Sequence, residues 1–236
     1  MIDAIFIVGS GRTGTHLLCN TLLGYSNVVD FMNGKENHDI RITLTEDALY
    51  HYKLNKNVKE YYKKQVNRAK KQGKIFLDQC HTNLFHVEIL EKVFPKAIFL
   101  FTVRDTEQVV ASMLNHTGVK RWSNWARDTI LPYPNQFLGI EKLEDLDLPD
   151  HILCALRIKA HNKKIKELQK KLGNKFRPVY FDLMIENKEQ HIEGIMHDFL
   201  EKLGSYKNRV NVDSETLVKY KKVLSKEQIR QIRKVI

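Results

Sequence analysis

Three cysteines in 236 residues, at positions 19, 80 and 154, rule out a disulfide scaffold and leave no CxxC redox or metal pair. Reduced thiols are the default. Cys80, beside His81, reads either as a thiol nucleophile or as a buried structural cysteine, the commoner state of a lone thiol. Ten histidines are present, yet no two stand as HxxxH or HExxH, so no zinc site is expected. No apolar run approaches the length of a bilayer span. The opening residues read as a strand rather than as a secretory leader, so a cytoplasmic protein is expected. Internal repeats, low-complexity tracts, zinc fingers and aromatic-basic RNA motifs are also missing, and no nucleic-acid partner is expected.

Lysine and arginine number 39 against 28 acidic residues, a formal net charge of +11. Such a surplus suits a polyanionic ligand, although a lysine-rich helix face can also serve solubility alone. The length is enough for a substantial core, most simply in one domain over residues 1–236. Short apolar strands alternate with helical patterns. The strands are read at Ala4 to Val8, Asn27 to Phe31, Lys74 to Leu77, Ala97 to Thr102 and Arg177 to Phe181. The helices are read at Gly14 to Leu23, Asn57 to Gln72, His86 to Lys92, Glu107 to Asn115, His151 to Leu172 and Lys188 to Leu203. This alternation predicts a three-layer α/β fold, a parallel sheet of about five strands with helices on both faces. The basic stretch Lys53 to Lys74 reads as a solvated helix face with Tyr62, Val66 and Ala69 turned inward. Residues 117–149 hold Trp122, Trp125, Tyr133 and three of the five prolines, a pattern too irregular for a core element. They read as a lid lining an acceptor pocket, or equally as a packed surface excursion.

The densest information lies between Ile5 and Leu18, IFIVGSGRTGTHLL. An apolar strand runs into a glycine-rich loop and then into a helical pattern, the layout in which backbone N–H groups and a helix N-terminus face an anion. Gly9 and Gly14 keep the spacing of the triphosphate-binding pattern G-x-x-x-x-G-K-[ST], but Thr15 stands in the lysine position and His16 follows it. Without the lysine and the Mg²⁺-binding hydroxyl the loop is a poor cradle for a metal-bound triphosphate. Arg12, Thr13 and Thr15 remain, a planar cation and two hydroxyls suited to an anion bound without metal.

A second segment, AIFLFTVRDTEQVVAS from Ala97 to Ser112, places Arg104 and Asp105 just past a buried strand, with Ser112 eight residues beyond the arginine. On these two motifs, in this order, the chain resembles the sulfotransferases that use 3′-phosphoadenosine 5′-phosphosulfate (PAPS) and release adenosine 3′,5′-bisphosphate (PAP). The family usually has proline after the Arg-Asp pair, and here Thr106 stands in its place. Weaker resemblances run along Asp78 to Asn83, Val93 to Pro95, Pro178 to Leu183, Phe199 to Leu200 and Leu224 to Ile236.

The resemblance implies a P-loop transferase that moves a sulfuryl group in line, without metal, to a hydroxyl or amine. It implies that Arg12 and the N–H groups of Gly11, Arg12, Thr13, Gly14 and Thr15 hold the 5′-phosphosulfate. Thr15 and His16 add hydrogen bonds near the bridging oxygen, and Arg104 and Ser112 hold the 3′-phosphate. Arginine keeps its charge, so Arg12 acts electrostatically on the leaving oxygen. For the base, Glu36 resembles the glutamate of carbohydrate and tyrosyl sulfotransferases. His81 matches the histidine of the cytosolic small-molecule enzymes, in which a lysine replaces Gln79, and His38 is a neighbour by sequence. The acceptor is expected to be a small molecule or glycan, and the basic surface favours an anionic or polar one. Two rivals stand beside this reading. One is a nucleotide kinase, with Ile75 to Asp78 as the strand that ends in a Mg²⁺-ligating aspartate. The other is a degenerate P-loop protein that binds without catalysis.

Overall fold

The computed structural model describes residues 2–31, 35–51, 53–208 and 217–236. In chain order the elements are β1 (Ala4–Val8), α1 (Thr15–Leu22), β2 (Val28–Val29), α2 (Lys35–Glu46), α3 (Lys56–Lys71), β3 (Ile75–Gln79) and α4 (Val87–Val93). Then come β4 (Ile98–Val103), α5 (Thr106–Leu114), α6 (Thr117–Arg127), α7 (Asp150–Leu172), β5 (Phe176–Tyr180), α8 (Phe181–Met196), α9 (Leu200–Leu203) and α10 (Lys226–Val235). The five strands form one parallel sheet in the order β2-β3-β1-β4-β5. Helices cover both faces, as the alternation of strand and helix predicts.

Alternation along β1 divides the core. Phe6 faces one side, stacked on Phe99 with ring centroids 5.5 Å apart and meeting Tyr62 of α3 edge-on at 5.4 Å. Phe76, Leu90, Ile165 and Leu168 join that side. Ile5 and Ile7 face the other, where Leu18 and Leu22 of α1 pack with Ile192 and Met196 of α8. A third cluster joins α5, α7 and α10 through Val110, Met113, Ile158 and Ile232. Tyr62, Val66 and Ala69 are buried in α3, with its lysines outside, as its periodicity indicates.

Four elements differ from expectation. The second strand shrinks to Val28–Val29, at one sheet edge and paired with β3 alone. Helix α2 and the π-helical turn after it, Asp47–His51, are additional. Their β-branched residues mask the periodicity, although Leu44, Ala48 and Leu49 reach the core. Helix α8 starts at Phe181, not Lys188; Phe181 and Met184 are buried in its first turn, and a break at Asn187 (φ −153°, ψ 78°) interrupts the pattern. Finally, residues 117–149, read as too irregular for a core element, do contribute to the core. They contain α6, whose Trp122 and Ala126 turn inward at i, i+4, and Phe137, Leu138, Ile140 and Leu146 are buried in the main core.

The topology fixes where a site can form. The chain leaves β1 towards β3 and β2, and leaves β4 towards β5, so the loops after these adjacent strands diverge. Open α/β sheets bind ligands in the crevice at such a reversal, beyond the carboxyl ends of the strands.

Candidate active site

The loop after β1 is held in an unusual backbone path. Gly9, Gly11 and Gly14 have φ of 144°, 71° and 102°, and Arg12, the one non-glycine among them, has φ 59°. A side chain in that region costs of the order of 1 kcal/mol and persists where the surroundings over-determine it. Two contacts do so here. Thr13 Oγ1 lies 2.5 Å from Thr102 Oγ1 at the end of β4, and Gln79 Nε2 donates to Thr15 Oγ1 at 3.1 Å. The Thr13 hydroxyl is therefore turned into the sheet rather than into the cleft, because a buried hydroxyl needs a partner. Thr15, accepting from Gln79, has its own proton to donate elsewhere.

Helix α1 starts from Gly14 with no side-chain cap and no acidic residue in its first turn. Its leading N–H groups and positive dipole end face the cleft. A Cβ on Gly14 would sit 2.4 Å from Phe181 Cδ2. Gly14→Ala is therefore expected to lower stability by about 2–3 kcal/mol through overpacking, read as an earlier midpoint in urea at an unchanged slope.

Arg104 leaves β4 directly opposite. Its Nη1 donates to the Arg12 carbonyl at 3.3 Å, its Nε donates to Gln108 Oε1 at 2.9 Å, and its guanidinium lies 4.0 Å above the Phe181 ring. Asp105 caps α5 by accepting from the Gln108 N–H at 3.1 Å, which puts Thr106 at the first helical position. Proline is favoured there because that N–H is an orphan anyway. Threonine preserves the turn because the Asp105 cap sets it. One face of α5 then returns Ser112 to the loop, where Ser112 Oγ accepts from Arg12 Nε at 3.2 Å.

A cleft of about 510 Å³ results. Of the residues singled out from sequence, Gly11, Arg12, Gly14, Thr15, His16, His81, Arg104 and Ser112 all line it. The Gly11 backbone passes against the His81 ring, at 3.5 Å from where its Cβ would be. Glu36 falls in the first turn of α2, and its side chain lies outside the described part of the structure. Trp122, from the segment read as lining an acceptor pocket, lines it too, whereas sequence reasoning passed over His116 and Arg157. A sign of Arg157 was available, since a lone arginine interrupts the buried stripe Cys154, Ile158, His161 and Ile165 of α7.

The electrostatics are one-sided. Among the described residues three arginines, three histidines and no carboxylate line the cleft. Burial, with Arg12 beside it, pulls Arg104 down to about 10 against the pull of Asp182, so it stays charged at neutral pH. Burial first and then the Arg157 and Arg41 charges push His81 down to about 3. His16 is lowered by burial and by Arg12. Both histidines are thus neutral at pH 7. Asp78, by contrast, is engaged elsewhere. Its Oδ2 accepts from Tyr62 Oη at 3.0 Å and Asn83 Nδ2 at 2.9 Å, and its Oδ1 faces Arg41 at 3.4 Å. Among the described residues no group of three or more His, Cys, Asp and Glu side chains could hold a metal ion, and no helix is long and apolar enough to cross a membrane.

Known proteins give the same picture. The sulfotransferase domain of the Curacin biosynthetic pathway superposes with a TM-score of 0.61 at 14% identity, over 99% of this chain and 97% of that one. The sulfotransferase domain of the Synechococcus PCC 7002 olefin synthase gives 0.60 at 14% identity, over 99% and 94%. A sulfotransferase from Alicyclobacillus acidocaldarius gives 0.53 at 12% identity, over 92% and 88%. At such identities the likeness is one of fold. No curated protein matches the sequence. The sulfotransferase family profile matches residues 4–201, which span the glycine loop, the Arg104 turn and α5; the chain belongs to the sulfotransferase family.

Proposed function

We propose that the chain transfers a sulfuryl group from PAPS to a hydroxyl or amine of a small-molecule or glycan acceptor. The observation that carries this is the meeting of Arg12, Arg104 and Ser112, from two sheet loops and one helix, in a cleft whose described lining carries no acid. The uncapped start of α1 and the cationic lining fit a polyanion, and the fit does not call on a Walker lysine. When bound, PAPS supplies an activated sulfuryl group on a phosphate leaving group and a second, 3′-linked phosphate.

In this reading the N–H groups of Gly11 to Thr15 and the Arg12 guanidinium hold the 5′ end. They stabilise charge that grows on the leaving oxygen during transfer. Thr15, its oxygen already accepting from Gln79, donates its proton towards the same oxygen, with His16 one residue further. Arg104 and Ser112 hold the 3′-phosphate. His81, beside Gly11, takes the acceptor's proton, and Glu36 is the alternative at the opening of α2. The commitment of Asp78 to Tyr62, Asn83 and Arg41 speaks against the kinase reading, in which that carboxylate would bind Mg²⁺. Cys19, Cys80 and Cys154 are free and buried, which suits a reducing compartment such as the cytoplasm.

Thermal shift separates the readings. PAP without metal, at a hundredfold excess over its Kd, is expected to add about 2.7 kcal/mol, or about 5–10 °C in a chain of this size. ATP with Mg²⁺ is expected to give a clearly smaller shift. The reverse order would favour a kinase.

A further inference from the structure

One cation in the cleft, Arg157, is not among the residues assigned to the donor. Arg157, on α7, is 7% exposed, and its Nε is buried with no hydrogen-bond partner. Among the described residues no ion pair or hydrogen bond reaches its guanidinium. Its neighbours are rings, with Phe137 at 4.6 Å and Trp122 at 5.8 Å from the guanidinium carbon to the centroids. Burial lowers it to about 10, so it is still a cation at neutral pH. A buried charge without a counter-charge is strongly unfavourable, and buried charges are ordinarily paired.

The surroundings are built rather than loose. His161, one turn further along α7, donates from Nε2 to the Phe137 carbonyl at 2.8 Å. Asn135 holds the same segment by donating from Nδ2 to the Leu49 carbonyl at 3.1 Å and accepting from the Leu138 N–H at 3.0 Å. Gly139 packs so closely on α7 that a Cβ would meet the Leu156 carbonyl oxygen at 2.4 Å. Phe137 is thereby fixed between Arg157 and His81, whose ring centroid lies 6.3 Å from its own. The donor anchors belong to other elements, the loop after β1 and the β4–α5 turn. Arg157 marks the side of the cleft where an acceptor would approach His81.

We propose that Arg157 is an acceptor-binding residue: the acceptor carries an oxyanion, a carboxylate or a phosphate, that pairs with the Arg157 guanidinium while its apolar body lies against Trp122. The planar fork of a guanidinium matches both oxyanions bidentately. This inference rests on the sulfotransferase reading of the cleft and narrows its acceptor class.

The test is a fluorescence or calorimetric titration of the full chain saturated with PAP. Three probes of matched shape are used: phenol, 4-hydroxybenzoate and 4-hydroxyphenyl phosphate. The anionic probes are expected to bind at least about tenfold tighter than phenol, and the better of the two identifies the oxyanion. In Arg157→Met the preference is expected to vanish while the Kd for PAP stays within about twofold of wild type. Arg157→Lys, which keeps the charge without the fork, is expected to retain part of it, and it serves as the second variant where the methionine form does not fold. Equal binding of all three probes by the wild type would overturn the proposal. So would a preference that survives in Arg157→Met, or a loss of PAP affinity parallel to the loss of probe affinity. Failure of the wild type to bind PAP at all would sink the donor reading instead. The same titration of wild type against Arg157→Met without PAP then decides the role of Arg157 by itself.

Discussion

Arg104→Ala is expected to weaken PAP binding about a hundredfold and to leave the binding of adenosine 5′-phosphosulfate, which has no 3′-phosphate, unchanged. Truncating one partner of a buried, hydrogen-bonded charge pair costs about 2–5 kcal/mol, and each 1.4 kcal/mol is tenfold. The lower half of that range applies, because Arg12 lies beside Arg104 and supplies part of the same positive field. The geometry gives the guanidinium little freedom. Gln108 takes its Nε, the Arg12 carbonyl takes one Nη1 proton, and the Phe181 ring lies under its face. An arginine held this way has already lost its rotamer entropy, so its contribution to binding is not offset by ordering. Ser112→Ala deletes one hydrogen bond to the charged phosphate and is expected to cost roughly 10-fold or more, about 1.5–3 kcal/mol. Calorimetry with the two nucleotides reads the result directly. A loss of equal size for both ligands would mean that Arg104 serves the 5′ end, and the 3′-phosphate assignment would fall.

Much of this arrangement could be seen in the sequence because strand ends announce themselves. The apolar runs of β1 and β4 end abruptly in Gly9 and Arg104, and a parallel sheet carries whatever follows such runs to its carboxyl edge. The eight-residue interval from Arg104 to Ser112 spans a capped turn and about two helical turns, which returns the serine to the strand end that it left. Burial of charge could not be read in the same way. Arg157 stands in a lysine-rich helix, and only its place on the stripe of Cys154, Ile158, His161 and Ile165 sets it apart from Lys159 or Lys163; that stripe says which way it faces, but not that the packing of Phe137 and Trp122 leaves it without a partner. Arg41 escaped notice for a related reason. Helix α2 is threaded with Ile40, Ile42, Thr43 and Thr45, whose strand preference hides a helix that exists because Leu44 and the turn behind it find the core. Thr13 shows the limit of residue type as a guide. A hydroxyl in an anion loop looks like a ligand donor, yet this one is spent on Thr102 to hold the loop itself.

His81→Ala is expected to slow single-turnover transfer from PAPS to any accepted phenol or sugar by about 10²–10⁴-fold, the usual worth of a positioned base, with little change in PAP affinity. In the free protein, burial first and then the Arg157 and Arg41 charges hold His81 near 3, which keeps it neutral but makes it a weak proton acceptor. Those same charges are the ones an anionic donor opposes. A bound anionic donor is expected to oppose the charge part of this depression, not the burial that is its largest cause, and so to raise the proton affinity of His81 above its value in the free protein. If His81 is the base, its strength rises in the donor complex, and transfer should fall as pH drops through its value there. Stability carries a matching signature. Between pH 6.5 and about 3 the unfolded chain binds a proton that folded His81 does not, so acid in that window favours unfolding, and His81→Ala should flatten the dependence. Glu36→Ala is the decisive companion. If it loses the 10²–10⁴-fold and His81→Ala transfers at full rate, the proton goes to the carboxylate at the start of α2, and the histidine beside Gly11 is left with shaping the loop.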